Sequence, residues 1–400
     1  MAAAAMSITV RKIVNRLDML DMAITFGNLA EILSRDAASA TEQIGVETML
    51  APGMFLFVVA AAAGTRSGDD SVTVRVDSAR HEIHVSAGPY HLPATAMMDH
   101  HAMVTAGGAG YDTPLDHFDW PVEGWLRGFR LRVIDGHGQP LPREIVHHLI
   151  VVNFSRRQLV YPAAERLLGA GAETEDAIVP KTVGIPMSPG MRLGMYVGWH
   201  NATGHDLPDV HVELTLLWTP KNQMPRPVSA LPIYMDANLT VGGSNTFDVL
   251  PGRASKAFEF TLPTGGRLLG VGGHLHDLGV AVQLEDAERD AVLTRVRAKY
   301  NKAGAMTGVE RRLFAVSGDG LHLKAGHRYR VAGVYQNSTS EPIHGAMAHM
   351  VGLFAPDDPA RWPTIDSHDP AYQRDLASLQ VEVRPDGQVQ LVRDKAAVSR

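Results

Sequence analysis

Beyond residue 70 the chain alternates apolar and polar side chains with a period of two, and it holds almost no run of ten to twelve residues with helical spacing. Ser71-Val72-Thr73-Val74-Arg75-Val76, His81-Glu82-Ile83-His84-Val85 and Phe129-Arg130-Leu131-Arg132-Val133 all follow this rule. A period of two sends successive side chains to opposite faces of a strand, so each segment buries one face and needs a second layer packed over it. Further strands are expected at 145–154, 191–200, 210–218, 256–262, 267–284, 291–298, 328–336 and 346–354, most of them bounded by Gly, Pro, Asn or Asp. Many short strands with frequent turns specify sandwiches and exclude a parallel α/β sheet. The β-rich stretch is too long for one sandwich of about 100 residues. The expected fold is therefore all-β: two consecutive antiparallel β-sandwich (jelly-roll-like) domains at 65–204 and 205–358, with the boundary in the turn-rich segment Asn201 to Pro208. A non-β segment 1–64 precedes them and a tail 359–400 follows. In the tail, Leu379–Val383 and Gln388–Val392 flank Pro385-Asp386-Gly387, a hairpin signature. No internal repeat, low-complexity run or phosphate-binding glycine loop is evident.

Segment 1–64 has two parts. Ile13, Leu17, Leu20 and Ile24 are spaced as on one helix face. The apolar stretch from Met49 to Gly64 falls short of a membrane span of about 20 residues, so no stable span is expected. It reads either as the apolar core of a signal peptide, with Ala61 to Ala63 as cleavage site, or as a short buried helix. No Lys or Arg lies between Arg35 and Arg66, a departure from the signal-peptide pattern, and a start near Met49 or Met54 would leave the upstream helix outside the protein. On the signal-peptide reading the protein is extracytoplasmic.

Composition narrows the chemistry. With 37 Lys and Arg against 43 Asp and Glu, the net charge of −6 makes no case for nucleic-acid binding. The absence of Cys excludes disulfides, iron–sulfur clusters and thiol nucleophiles. No nucleophile elbow or His-Glu-x-x-His helix is present. What remains are 19 His and 17 Met, the borderline and soft metal ligands left once thiols are removed.

Four groups stand out. His147-His148 lies inside the apolar run Ile145 to Val152. Alternation separates adjacent side chains, so both reach one ion only at a bulge, a sharp twist or a sheet edge; otherwise one is buried and the other exposed. His274-Leu275-His276 places two imidazoles on one strand face, next to Gly272 and Gly273, with Asp277 as a nearby acceptor. His200 ends the strand Met195 to Trp199. Met347 and His349 share a face in Gly345-Ala346-Met347-Ala348-His349-Met350, where a Met is ordinarily core. His100-His101 reads as a solvated loop pair, and Asn201-Ala202-Thr203 matches a glycosylation acceptor.

Taken together, the order His-His, His, His-x-His, Met along an all-β chain resembles the type II copper, ascorbate-dependent monooxygenases, the family of peptidylglycine α-hydroxylating monooxygenase and dopamine β-monooxygenase. The resemblance covers roughly residues 125–356. It implies two copper ions, one on each of two sandwiches. An electron-transfer copper would be held by His147, His148 and His200, and a catalytic copper by His274, His276 and Met347. It also implies hydroxylation of a C–H bond in a small organic substrate with O2, with ascorbate or a similar reductant recharging the metals. Val210-His211-Val212-Glu213-Leu214-Thr215 resembles the family's opening strand of the second domain. The family's substrate-binding Arg, two residues before the His-x-His pair, is replaced by Gly272, which argues against a peptidyl-glycine substrate. His349 is an alternative ligand to Met347. A copper-binding or electron-transfer protein without hydroxylase activity, on the same fold, is the other reading, and zinc is also compatible with a three-His set.

Overall fold

The computed structural model describes residues 72–94, 111–112, 115–171, 174, 176–201, 203–314, 319–379, 381–383 and 389–391. The helix-spaced segment, the apolar stretch 49–64 and the His100-His101 pair lie outside them.

The alternating segments form strands whose apolar positions face inward. Val72–Asp77 buries Val72 and Val74 while Thr73 and Arg75 face solvent. The first sandwich has one sheet in the order Val72–Asp77, Glu82–Leu92, Leu207–Pro220, Gly124–Asp135, Val183–Met187 and Val228–Ser229. Its second sheet runs Tyr111–Asp112, Arg192–Trp199, Val146–Arg157, Ala164–Gly171. The second sandwich sets Leu231–Asp236, Ala348–Pro356 and Gly266–Leu275 over Gly252–Thr261, Arg328–Asn337, Gly279–Asp286, Ala291–Tyr300 and Met306–Val309. Buried side chains of both sandwiches, among them Trp120, Trp199, Tyr335 and Phe354, form one contiguous apolar cluster. With no disulfide available, this burial carries the stability, at about 1.5–3 kcal/mol for each fully buried large aliphatic or aromatic side chain.

Strand pairing moves the division of the chain. Leu207–Pro220 was expected to open the second sandwich, yet it lies between Glu82–Leu92 and Gly124–Asp135 in the first. Its inward residues Val210, Val212, Leu214 and Leu216 fill the first core. The second set of strands begins at Leu231. The expected strand 267–284 is two strands, Gly266–Leu275 and Gly279–Asp286, which break at Leu278 with φ of 66° and lie in different sheets. The tail also differs from expectation. Helix Pro370–Ser378, capped by the Asp369 side chain, packs Tyr372 and Leu376 against Val152 and Phe154 of the first sandwich. The hairpin strands pair as Val381–Val383 with Val389–Leu391.

The two sandwiches repeat each other in register. Leu217 and Trp218 pair with Gly128 and Leu126, skipping Arg127; Leu353 and Phe354 pair with Gly270 and Leu268, skipping Leu269. Gly198 and Trp199 pair with His148 and Val146, skipping His147; Val334 and Tyr335 pair with Ala281 and Gly279, skipping Val280. The repeat shows in sequence only once this alignment is known: Phe118, Pro121, Gly124, Leu126 and Gly128 match Phe260, Pro263, Gly266, Leu268 and Gly270. Each copy also turns a corner on a buried Asn. Asn201 Nδ2 donates to the carbonyls of Leu92 (2.9 Å) and His205 (2.9 Å), and its Oδ1 accepts from Thr203. Asn337 Nδ2 donates to Val249 (3.1 Å) and Glu341 (2.8 Å), and its Oδ1 accepts from Thr339. In the folded chain Asn201 is thus a structural amide, not an exposed glycan acceptor. Asn337→Ala leaves the buried Val249 carbonyl and the part-buried Glu341 carbonyl without their donor and is expected to lower the unfolding free energy by about 1–3 kcal/mol in urea titrations.

Candidate functional site

The repeat isolates what is special to each copy. Where the first sandwich has His147 and His148, the second has Val280 and Ala281. Where the second has the cross-strand pair His274 and His349, the first has Arg132 and Glu213, an ordinary surface ion pair at 3.2 Å. The imidazole groups are therefore not imposed by the common fold.

At the first group, the pairing of Val146–Arg157 with Arg192–Trp199 slips at His147. This bulge adds one residue and breaks the alternation, so two adjacent side chains can approach each other. The rings of His147 and His148 lie 5.1 Å apart at 75°. Tyr196 stands edge-on to His148 at 5.7 Å. His200 is tied beside the pair through its backbone, its N–H donating to the Ile145 carbonyl at 2.8 Å.

At the second group, three strands bring Asp236, His349 and His274 into one row across the sheet. His276, two residues beyond His274, stands edge-on to it, 5.0 Å away at 87°. His349 stacks on His274 at 4.9 Å and 23°. The Nδ1 of His276 is 2.8 Å from the Gly345 carbonyl, so the expected acceptor Asp277 is not the one that orients this ring; Asp277 is exposed. Met347 sits between Ile343–Ala346 and Ala348–Pro356, and its carbonyl accepts the Tyr335 hydroxyl. The same hydroxyl accepts from the His276 N–H at 3.1 Å, which ties the two segments together.

Behind His349 lies a buried polar network that the sequence reading missed. Asp236 is fully buried, with its Oδ2 3.9 Å from His349 Nδ1. Its carboxylate accepts from Tyr234 Oη, Asn245 Nδ2 (3.1 Å) and the Asn238 N–H (2.8 Å). Burial pushes the Asp236 carboxyl above its ordinary range despite these donors, and burial with the adjacent Asp236 charge pushes the Tyr234 phenol well up. Tyr161 reaches across from the first sandwich, donating to the Asp236 carbonyl (3.2 Å) and accepting from its N–H (2.8 Å). The available signal was an acid ending the apolar run Leu231-Pro232-Ile233-Tyr234-Met235-Asp236.

A metal can be tested against this geometry. A ring nitrogen about 2.0–2.1 Å from an ion puts the ring centre roughly 3 Å from it, so two rings sharing an ion at a tetrahedral angle have centres about 5 Å apart. Both edge-on pairs meet that spacing. The full ligand sets are not assembled: among the described residues, no group of three or more His, Asp or Glu side chains is arranged to hold one ion. Of the expected triad, the His147 and His148 rings approach each other, while His200 is tied by its backbone to Ile145. The residues fit two donors at each end, of a type suited to copper or zinc.

No protein-family model and no curated protein matches the chain. Among solved structures, it is similar to the STIV MCP, at 10% identity over 66% of this chain and 95% of that one, with a TM-score of 0.33. It is similar to PNGase F, a glycosylasparaginase from Flavobacterium meningosepticum, at 8% identity over 68% and 95%, with a TM-score of 0.34. It is also similar to the major capsid protein P2 from bacteriophage PM2, at 10% identity over 68% and 98%, with a TM-score of 0.27. At these identities and TM-scores the likenesses carry no argument about activity. No helix among the described residues is long and apolar enough to cross a membrane.

Proposed function

We propose that the chain is a copper-dependent monooxygenase-like enzyme acting on a C–H bond of a small organic substrate. One ion is held by His147 and His148 with His200 as third donor. The other is held by His274 and His276, with Met347 or His349 as third donor. The observation that carries this reading is the pair of edge-on imidazole contacts, one on each sandwich, at the separation expected of rings that share an ion. Bound copper would supply the O2 and electron chemistry, recharged by ascorbate or a similar reductant. The chain's own residues hold the rings: the Gly345 carbonyl orients His276, and the Asp236 network backs His349.

Reconstitution with copper, metal analysis and oxygen-uptake measurements test this. Two ions per chain and ascorbate-driven uptake that requires an added organic substrate are expected. No bound copper overturns the reading. Two ions without substrate-dependent uptake leave a copper-binding or electron-transfer protein on the same fold. Paired variants separate the third donors. If Met347 completes the second site, Met347→Ile lowers turnover by about tenfold or more, a barrier change of about 1.4 kcal/mol, while total copper is largely retained. If His349 completes it, His349→Ala removes one ion and Met347→Ile leaves turnover unchanged.

A further inference from the structure

Away from both imidazole groups, a cavity of about 140 Å³ opens where the connecting segment 221–230 leaves the first sandwich. Trp125, Met187 and Met191 supply apolar wall, and Arg156, Lys221 and Arg226 supply three cations. The indole is fixed by its Nε1–H, which donates to Ser229 Oγ at 3.0 Å. Arg156 is satisfied by the buried Glu165 (Nε to Oε2, 2.8 Å) and by the Pro186 carbonyl (2.7 Å). Lys221 lies 3.4 Å from Glu123. Arg226 stands over the Trp125 ring at 5.3 Å and has no carboxylate partner among the described residues. Three cations against Glu123 and Glu165 leave one positive charge unmatched at the cavity.

Charge and size together select a ligand. An apolar cavity of about 150 Å³ holds benzene, so this one has room for one ring-sized body. A guanidinium with no carboxylate partner is well suited to bidentate pairing with a ligand carboxylate. We propose that this cavity binds a small carboxylate with a flat, ring-sized apolar body. The carboxylate pairs with Arg226, with Lys221 close by, and the body lies beside the Trp125 indole and the two methionines. The site is independent of any metal.

The test is saturation-transfer NMR on the full chain with benzoate as probe and benzyl alcohol as its neutral counterpart. Saturable one-to-one benzoate binding is expected, with benzyl alcohol binding far more weakly. Arg226→Gln should weaken benzoate about tenfold or more, the loss of one charge-assisted pair. Arg226 and Lys221 are exposed, so Arg226→Gln and Lys221→Gln should keep the fold, checked by near-UV circular dichroism. Absence of saturable benzoate binding, equal binding of benzyl alcohol, or benzoate affinity unchanged in folded Arg226→Gln would each overturn the proposal.

Discussion

Asp375→Ala is expected to lower the unfolding free energy by about 2–4 kcal/mol, because the buried Ala164 N–H loses its acceptor and the half-buried Arg166 guanidinium loses its carboxylate. Arg166 donates to both oxygens of Asp375 at 2.7 Å, and the same carboxylate accepts the Ala164 N–H at 2.9 Å. Asp375 is buried, and its charge holds the Arg166 guanidinium above its ordinary range against the opposing effect of burial. This pair fastens helix Pro370–Ser378 to strand Ala164–Gly171, next to the contacts of Tyr372 and Leu376. The double variant Arg166→Met, Asp375→Leu should cost less than Asp375→Ala, because it leaves no stranded charge and only the Ala164 N–H without its acceptor. Equal losses in the single and double variants would show that packing of the helix, and not the ion pair, sets the cost. Urea unfolding of both variants decides between these outcomes.

The second large effect is on copper content. If the proposed sites hold copper, His148→Ala and His276→Ala should each lower bound copper from two ions per chain to one, and the double variant to none. The two positions lie in different sandwiches, His148 within the strand Val146–Arg157 and His276 one residue beyond the end of Gly266–Leu275, so their losses should add. Metal analysis after dialysis measures the stoichiometry, and electron paramagnetic resonance of the oxidised single variants should show one set of copper signals in each. Retention of two ions by His276→Ala would remove that ring from the ligand set. Loss of both ions in either single variant would mean that the two pairs do not bind independently.

Much of the molecule was legible as sequence because strand alternation is a local signal. The hairpin in the tail, the β-rich body and most strand positions follow from residues within about ten positions of each other. The imidazole pairs were also visible, including the condition that His147 and His148 approach only at a bulge, a sharp twist or a sheet edge; the structure has the bulge, where the pairing slips at His147. The partition was not legible. Asn201 to Pro208 has the composition of a boundary, but it is a corner within one sandwich, and the same corner recurs at Asn337. The internal repeat is not legible in the sequence because the two copies share pairing register and bulge position but few identical residues.

By itself the sequence determined an all-β chain without disulfides, with its histidines placed in pairs along apolar strands. Those properties depend on side-chain periodicity and composition, which act between neighbours in the chain. Only the tertiary structure decided that Leu207–Pro220 belongs to the first sandwich and that Asp236, His349 and His274 form one row. It also brought Tyr161 across to Asp236 and seated the tail helix on Arg166. Each of these contacts joins residues tens to hundreds of positions apart. Their partners are chosen by which strand edges and buried charges remain to be satisfied once the sheets have packed, and no local pattern encodes that choice.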